Sequence, residues 1–133
     1  MTPSFDAVEI VVSDMARSLA FYRRLGLDLP TEADADAHVE ITLPGGLRLA
    51  FDTEDTIRSF DPHWTRPTSG GGRQTLAFRC ADPAEVDRTY AELTATGVTG
   101  HLEPWDAVWG MRYAVVRDPD GHGIDLFADL AAT

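Results

Sequence analysis

Residues 8–26 read VEIVVSDMARSLAFYRRLG, and residues 76–97 read LAFRCADPAEVDRTYAELTATG. Each stretch opens on a short apolar run suited to a strand, meets an aspartate, and continues with hydrophobic residues at helical spacing. In the first these are Met15, Leu19, Tyr22 and Leu25; in the second, Val86, Tyr90 and Leu93. A shift of 68 residues lays Asp14 on Asp82, Tyr22 on Tyr90 and Leu25 on Leu93, with Val8 and Ile10 on Leu76 and Phe78. The chain uses one unit twice, and that repeat decides the fold.

The aspartates have a mechanical explanation. Asp82 is placed to accept from the first free amides of its helix, Pro83 takes the first helical position, and Glu85 completes a capping box. Gly97 supplies the stop. After each helix come two strands: HVEITLPGGLRLAFD (38–52) around a Pro-Gly-Gly turn, and MRYAVVRDPDGHGIDLFAD (111–129) around Asp-Pro-Asp-Gly. A weaker strand is expected before each pair, near Leu27 to Glu32 and near Thr99 to Glu103. The prediction is therefore an α+β chain: two tandem βαβββ modules at about 5–64 and 73–130, joined by TRPTSGGGRQ (65–74). Neither module is large enough to cover both faces of its sheet. Together, as a single domain over 1–133, they predict a curved mixed sheet with helices outside and a concave ligand cleft inside.

Composition narrows the function. With 133 residues, 44% hydrophobic and 25% charged, the chain has the make-up of one ordinary globular domain. A net charge of -11 and a pI near 4.5 argue against nucleic acid and against anionic membrane surfaces, and suit a neutral or cationic partner. The lone cysteine, Cys80, excludes an internal disulfide framework and fits a reducing cytoplasm; its apolar setting reads as a small buried thiol. The first residues, MTPSFDAVEIVVSD, have neither the basic start of a signal peptide nor an apolar run long enough to span a membrane. There is no Gly-x-Ser-x-Gly elbow, and the glycines at 70–72 neither follow a strand nor precede Lys-Ser/Thr. Asp34 and Asp36 read as a solvated loop.

The motifs SDMARSLAFYRRLGL and RDPDGHGIDLF mark the chain as resembling the vicinal oxygen chelate superfamily, which includes glyoxalases, extradiol dioxygenases and metal-free bleomycin resistance proteins. Its metal-dependent members hold a divalent ion with ligands from the strands of both modules, and such an ion needs several converging imidazole and carboxylate groups. By that resemblance the first ligand, usually histidine, falls at Ala7, its second-module counterpart at Thr75, and a carboxylate position at Leu49 or Ala50. Asp125 alone keeps a donor. His38, His63, His101 and His122 miss these positions, so the expectation is no metal and no cofactor.

The decamer PWDAVWGMRY (104–113) carries two of the three tryptophans, Trp105 and Trp109. Such rings serve the core, a subunit interface or a ligand equally well. More narrowly, EADADAH, RLAFDTEDTIRSFDPHW, HLEPWDAVWGMRYAVVRDPDG and DLFADL resemble the mitomycin-binding, drug-resistance members of the superfamily. In those a planar drug lies between a histidine and a tryptophan, and the matching residues here are His38 and Trp109. Trp105 is placed to line the site or to support Trp109; Trp64 and Phe60 line an opposite wall or anchor a loop. Phe51, Arg112 and Tyr113 are further candidates, and strand alternation must decide between the last two. The metal-free relatives also imply a homodimer with exchanged strands.

The resemblance implies a cytoplasmic, metal-free protein that sequesters a small planar aromatic ligand and gives resistance without turnover. The alternatives are a glyoxalase- or dioxygenase-type enzyme of the same fold and a carrier of a biosynthetic metabolite.

Overall fold

The computed structural model describes residues 2–67 and 73–131. The chain divides into two compact units, Met1–Pro67 and Thr68–Thr133. The glycines at 70–72, in the middle of the expected linker, lie outside the described residues.

In the first unit, β1 (Ala7–Val12) leads into α1 (Met15–Arg24), then a 3-10 turn (Thr31–Ala35), β2 (His38–Thr42), β3 (Arg48–Thr53) and α2 (Glu54–Phe60). The sheet order is β1-β3-β2, with β1 parallel and β2 antiparallel to β3. Asp14 caps α1, accepting from the Arg17 amide at 3.1 Å. The helix buries Met15, Leu19, Phe21 and Tyr22, and Tyr22 packs on Phe51 of the sheet with ring centroids 5.2 Å apart. Leu19, Tyr22 and Phe51 are fully excluded from solvent, each such burial stabilising the unit by about 1.5–3 kcal/mol.

Two elements of this unit depart from the sequence reading. The strand expected near Leu27 to Glu32 is an irregular segment ending in the 3-10 turn. Arg23, in the last turn of α1, explains why. Its guanidinium donates to the Leu29 carbonyl, to the Pro30 carbonyl at 2.8 Å and to Asp34 at 2.7 Å. Those carbonyls are therefore held by a side chain rather than by a neighbouring strand, and Pro30 brings no amide to a ladder. Helix α2 was not foreseen. Its signal was local: Thr53 accepts from the Thr56 amide at 3.2 Å, and Glu54 and Asp55 occupy the first turn, where negative charge is favoured.

The second unit is βαβββ in full: β4 (Thr75–Arg79), α3 (Pro83–Ala95), β5 (Gly100–Ala107), β6 (Met111–Arg117) and β7 (Gly123–Asp129). The sheet order is β4-β7-β6-β5, with β4 parallel to β7 and the other pairs antiparallel. The capping box is present: Asp82 accepts from the Glu85 amide at 2.8 Å, and Glu85 accepts from the Ala81 amide at 3.2 Å. Gly97 turns the chain at φ +99°. The weaker strand expected near Thr99 to Glu103 forms and runs on to Ala107, with register irregularities on either side of Leu102. Gly100 at its start has a packing reason: a Cβ there would lie 2.2 Å from the Tyr90 hydroxyl oxygen. Cys80 is buried, as read from the sequence, and burial pushes its thiol pKa up. No described helix is long and apolar enough to cross a membrane.

Candidate functional site

Strand alternation assigns each candidate to a face. In the second unit Tyr113, Val115, Asp125 and Phe127 share one face, since Tyr113 pairs with Phe127 and Val115 with Asp125. Arg112, Ala114, Ile124 and Leu126 take the other, against α3. Arg112 is tied there by Asp87 of the helix at 2.8 Å, and also by Asp106 at 3.1 Å. The alternation left open by the sequence thus resolves in favour of Tyr113, and Arg112 is a helix-side ion-pair residue.

Around Tyr113 the rings gather. Trp105, on β5, pairs with Tyr113 in register, and its centroid lies 5.5 Å from the phenol ring. Trp109, in the β5–β6 turn, stands 5.4 Å from Tyr113 and 6.0 Å from Trp105, edge to face with both. Phe127 stacks on Tyr113 at 6.3 Å and 27°, under the Arg79 guanidinium. Edge-to-face pairs add about 0.5–1.5 kcal/mol each beyond burial. Three of these rings are partly covered, whereas Trp109 keeps 56% of its surface open. Trp109 is thus held by two neighbouring rings while over half of its surface stays exposed.

The cluster stands on a polar anchor. Tyr113 donates to Asp125 Oδ2 at 2.5 Å, and the Thr75 hydroxyl donates to the same oxygen at 3.2 Å. Burial, with the hydrogen bond to Asp125, pushes the Tyr113 phenol up to about 12, so it remains a donor throughout the ordinary pH range.

The first unit presents different chemistry. Phe51 points to α1 and is core, which removes it from the ligand site: its in-register partners Ile10 and Val39 are buried with it. The opposite face carries an ionic row. His38 Nδ1 meets Asp52 at 2.6 Å and His38 Nε2 meets Glu40 at 3.1 Å. Arg48 joins Glu40 at 2.5 Å to Asp6 at 2.6 Å. Hydrogen bonds that His38 donates to Asp52 and then to Glu40 raise its pKa above 6.5, while His38 and Arg48 lower that of Glu40. His38 sits opposite Asp52 in the β2–β3 register, so a buried carboxylate orients its ring.

The remaining candidates are placed more simply. Trp64 lies in the loop after α2 with the Arg58 guanidinium 5.2 Å from its ring, a contact that anchors the loop. Phe60 is exposed, as are His63 and His101. His122 is held at 2.8 Å by Asp118 within its tight turn, which raises its pKa. His38 belongs to the first unit, and Trp105, Trp109 and Tyr113 to the second.

The family model of the Glyoxalase/Bleomycin resistance protein/Dioxygenase superfamily matches residues 4–126, and the chain belongs to that superfamily. A glyoxalase/bleomycin resistance protein/dioxygenase from Nocardioides is 25% identical at a TM-score of 0.70, over 100% of this chain and 87% of that one. A protein of Agrobacterium tumefaciens solved by NMR is 27% identical at 0.70, over 98% and 100%. A family enzyme from Burkholderia phytofirmans PsJN reaches 0.79 at 19% identity, over 96% and 100%, a likeness of fold alone. No curated protein matches the chain.

The metal of the superfamily's metal-dependent members does not fit these residues. At the expected positions stand Ala7, Leu49 and Ala50, Thr75 and Asp125, which is one carboxylate in place of a ligand set. That carboxylate is already engaged, one oxygen accepting from two hydroxyls. Among the described residues no three His, Cys, Asp or Glu side chains gather as a metal would require.

Proposed function

We propose that the protein binds a planar aromatic small molecule by stacking and sequesters it, a drug-resistance role of the mitomycin- or bleomycin-binding kind, without metal or turnover. The observation that carries this reading is the half-open Trp109 indole held by Trp105 and Tyr113, on a face whose one potential metal ligand is engaged by hydroxyls. Trp109 supplies a stacking surface, and His38 is the further ligand contact that the resemblance to mitomycin-binding members implies. Trp105 and Tyr113 support the indole. Stacking suits sequestration because it grips both faces of a flat ring without activating any bond. Exposed Phe5, Phe60 and Val108 leave apolar surface that a homodimer with exchanged strands would cover.

The test is titration with mitomycin C, followed by tryptophan quenching. Trp109→Ala should weaken binding by about 1–3 kcal/mol while the fold survives, and EDTA should leave affinity unchanged. Loss of folding with unchanged affinity per folded molecule makes the tryptophan structural; loss of binding on chelation, restored by a divalent metal, overturns the metal-free reading. Sedimentation showing only a 14.5 kDa species at micromolar concentration would contradict the dimer.

A further inference from the structure

Both nitrogens of His38 face carboxylates, Nδ1 to Asp52 at 2.6 Å and Nε2 to Glu40 at 3.1 Å. An ionised carboxylate only accepts hydrogen bonds, and a neutral imidazole donates from one nitrogen alone. Satisfying both contacts therefore requires both nitrogens to carry protons. Because the carboxylates occupy the ring's two polar edges, the surface left for a ligand is its flat face, and 46% of the side chain is still open.

We propose that His38 is an imidazolium at neutral pH and that its face selects uncharged flat rings over flat cations. This rests on the stacking reading above and names the ligand class for it. The physical reason is the ring quadrupole: a cation against an aromatic face is attracted to its negative π surface. An aromatic cation stacked on an imidazolium meets like charge at contact distance. The overall charge of -11 attracts cations from afar, but salt screens that field beyond roughly 8 Å, whereas the imidazolium acts at the contact itself. The neighbouring carboxylates are engaged at the edges: Asp52 is buried, and Glu40 is shared with Arg48, which Asp6 also holds. Glu9, on β1, is the other acidic group on this sheet face. The raised pKa of His38 agrees with this arrangement.

The experiment has two arms on the full-length protein. In the first, NMR of the imidazole nitrogens follows His38 from pH 5 to 9, with the signal assigned by its loss in His38→Gln. The expected result is an imidazolium at pH 7, a midpoint above the ordinary 6.5, and a fall of that midpoint in Asp52→Asn. A neutral ring at pH 7 overturns the inference, even if flat ligands bind. In the second, 2-naphthol and the N-methylquinolinium cation, two bicyclic probes of similar size, are titrated at pH 6 and pH 9. Naphthol should bind at least about three-fold more tightly at pH 6, with that preference reduced at pH 9 as the imidazolium deprotonates. Equal or tighter binding of the cation at pH 6 overturns the selection. If neither probe binds while the imidazolium is seen, the stacking reading fails and takes the ligand class with it, leaving the charge state established.

Discussion

The two units, with sheets of three and four strands, fill the sheet face turned from the helix in opposite ways. In the first, that face is an ionic row from Asp6 through Arg48, Glu40 and His38 to Asp52. In the second it is an aromatic cluster of Trp105, Trp109, Tyr113 and Phe127 standing on Asp125 and Thr75. The helix-facing sides are alike: Leu19, Tyr22 and Phe51 in one, Val86, Leu93, Ile124 and Leu126 in the other, all buried. The helix-facing sides agree because each must bury an apolar core, a demand that does not fix what the other face carries.

The sharpest way to break this comparison is to exchange the expected behaviour of Phe51 and Trp109. Phe51→Ala removes a fully buried ring and should cost about 3–5 kcal/mol in urea denaturation, whereas Trp109→Ala should cost less, about 1–3 kcal/mol, since over half of the residue is exposed and mainly its two ring pairs are lost. Equal losses would mean that Trp109 is core and that the two faces of the second sheet are not distinct.

A smaller effect tests the repeat's helix packing. Gly100→Ala drives a Cβ into Tyr90 and should cost about 1–3 kcal/mol. Adding Tyr90→Leu should recover part of that loss, and failure to recover any would place the strain in the backbone instead.

The anchor beneath the cluster gives the next measurement. Asp125→Asn replaces the carboxylate that accepts from Tyr113, so the phenol should titrate below about 12 in ultraviolet absorbance, with burial still holding it above the ordinary value. Tyr113→Phe leaves Asp125 with Thr75 as the donor just described and should cost about 1–2 kcal/mol. An unchanged phenol titration in Asp125→Asn would show that burial alone sets it.

The ionic row should produce the smallest change. The folded pKa of His38 is raised, so its stabilisation is fully present below about pH 6.5 and is lost as pH rises through the folded value. With the side chain nearly half exposed, His38→Gln should cost well under about 1 kcal/mol at pH 6, and less at pH 9. A cost that grows with pH would reverse the sign and refute the imidazolium.

What the sequence alone determined is the repeat and its local devices. Asp14, Asp82, Pro83, Glu85 and Gly97 act within a few residues of themselves, so a linear reading finds them. The paired strands of each module were legible for the same reason: alternation and turn residues are local signals. The stretch from Leu27 to Glu32 escaped because Arg23, on the preceding helix, holds its carbonyls. Tertiary contact alone decided the site. Phe51 within β3 and Trp109 in the β5–β6 turn are both aromatic, and packing buries the first and leaves the second exposed. Arg112 and Tyr113 are neighbours in the chain, and only the position of α3 sends the first to Asp87 and the second to Asp125. Thr75 and Asp125 lie far apart in sequence, and parallel pairing of β4 with β7 brings them to one hydrogen bond. A side chain's face and partner depend on what the fold lays against it, and residues distant in the chain carry no local trace of that.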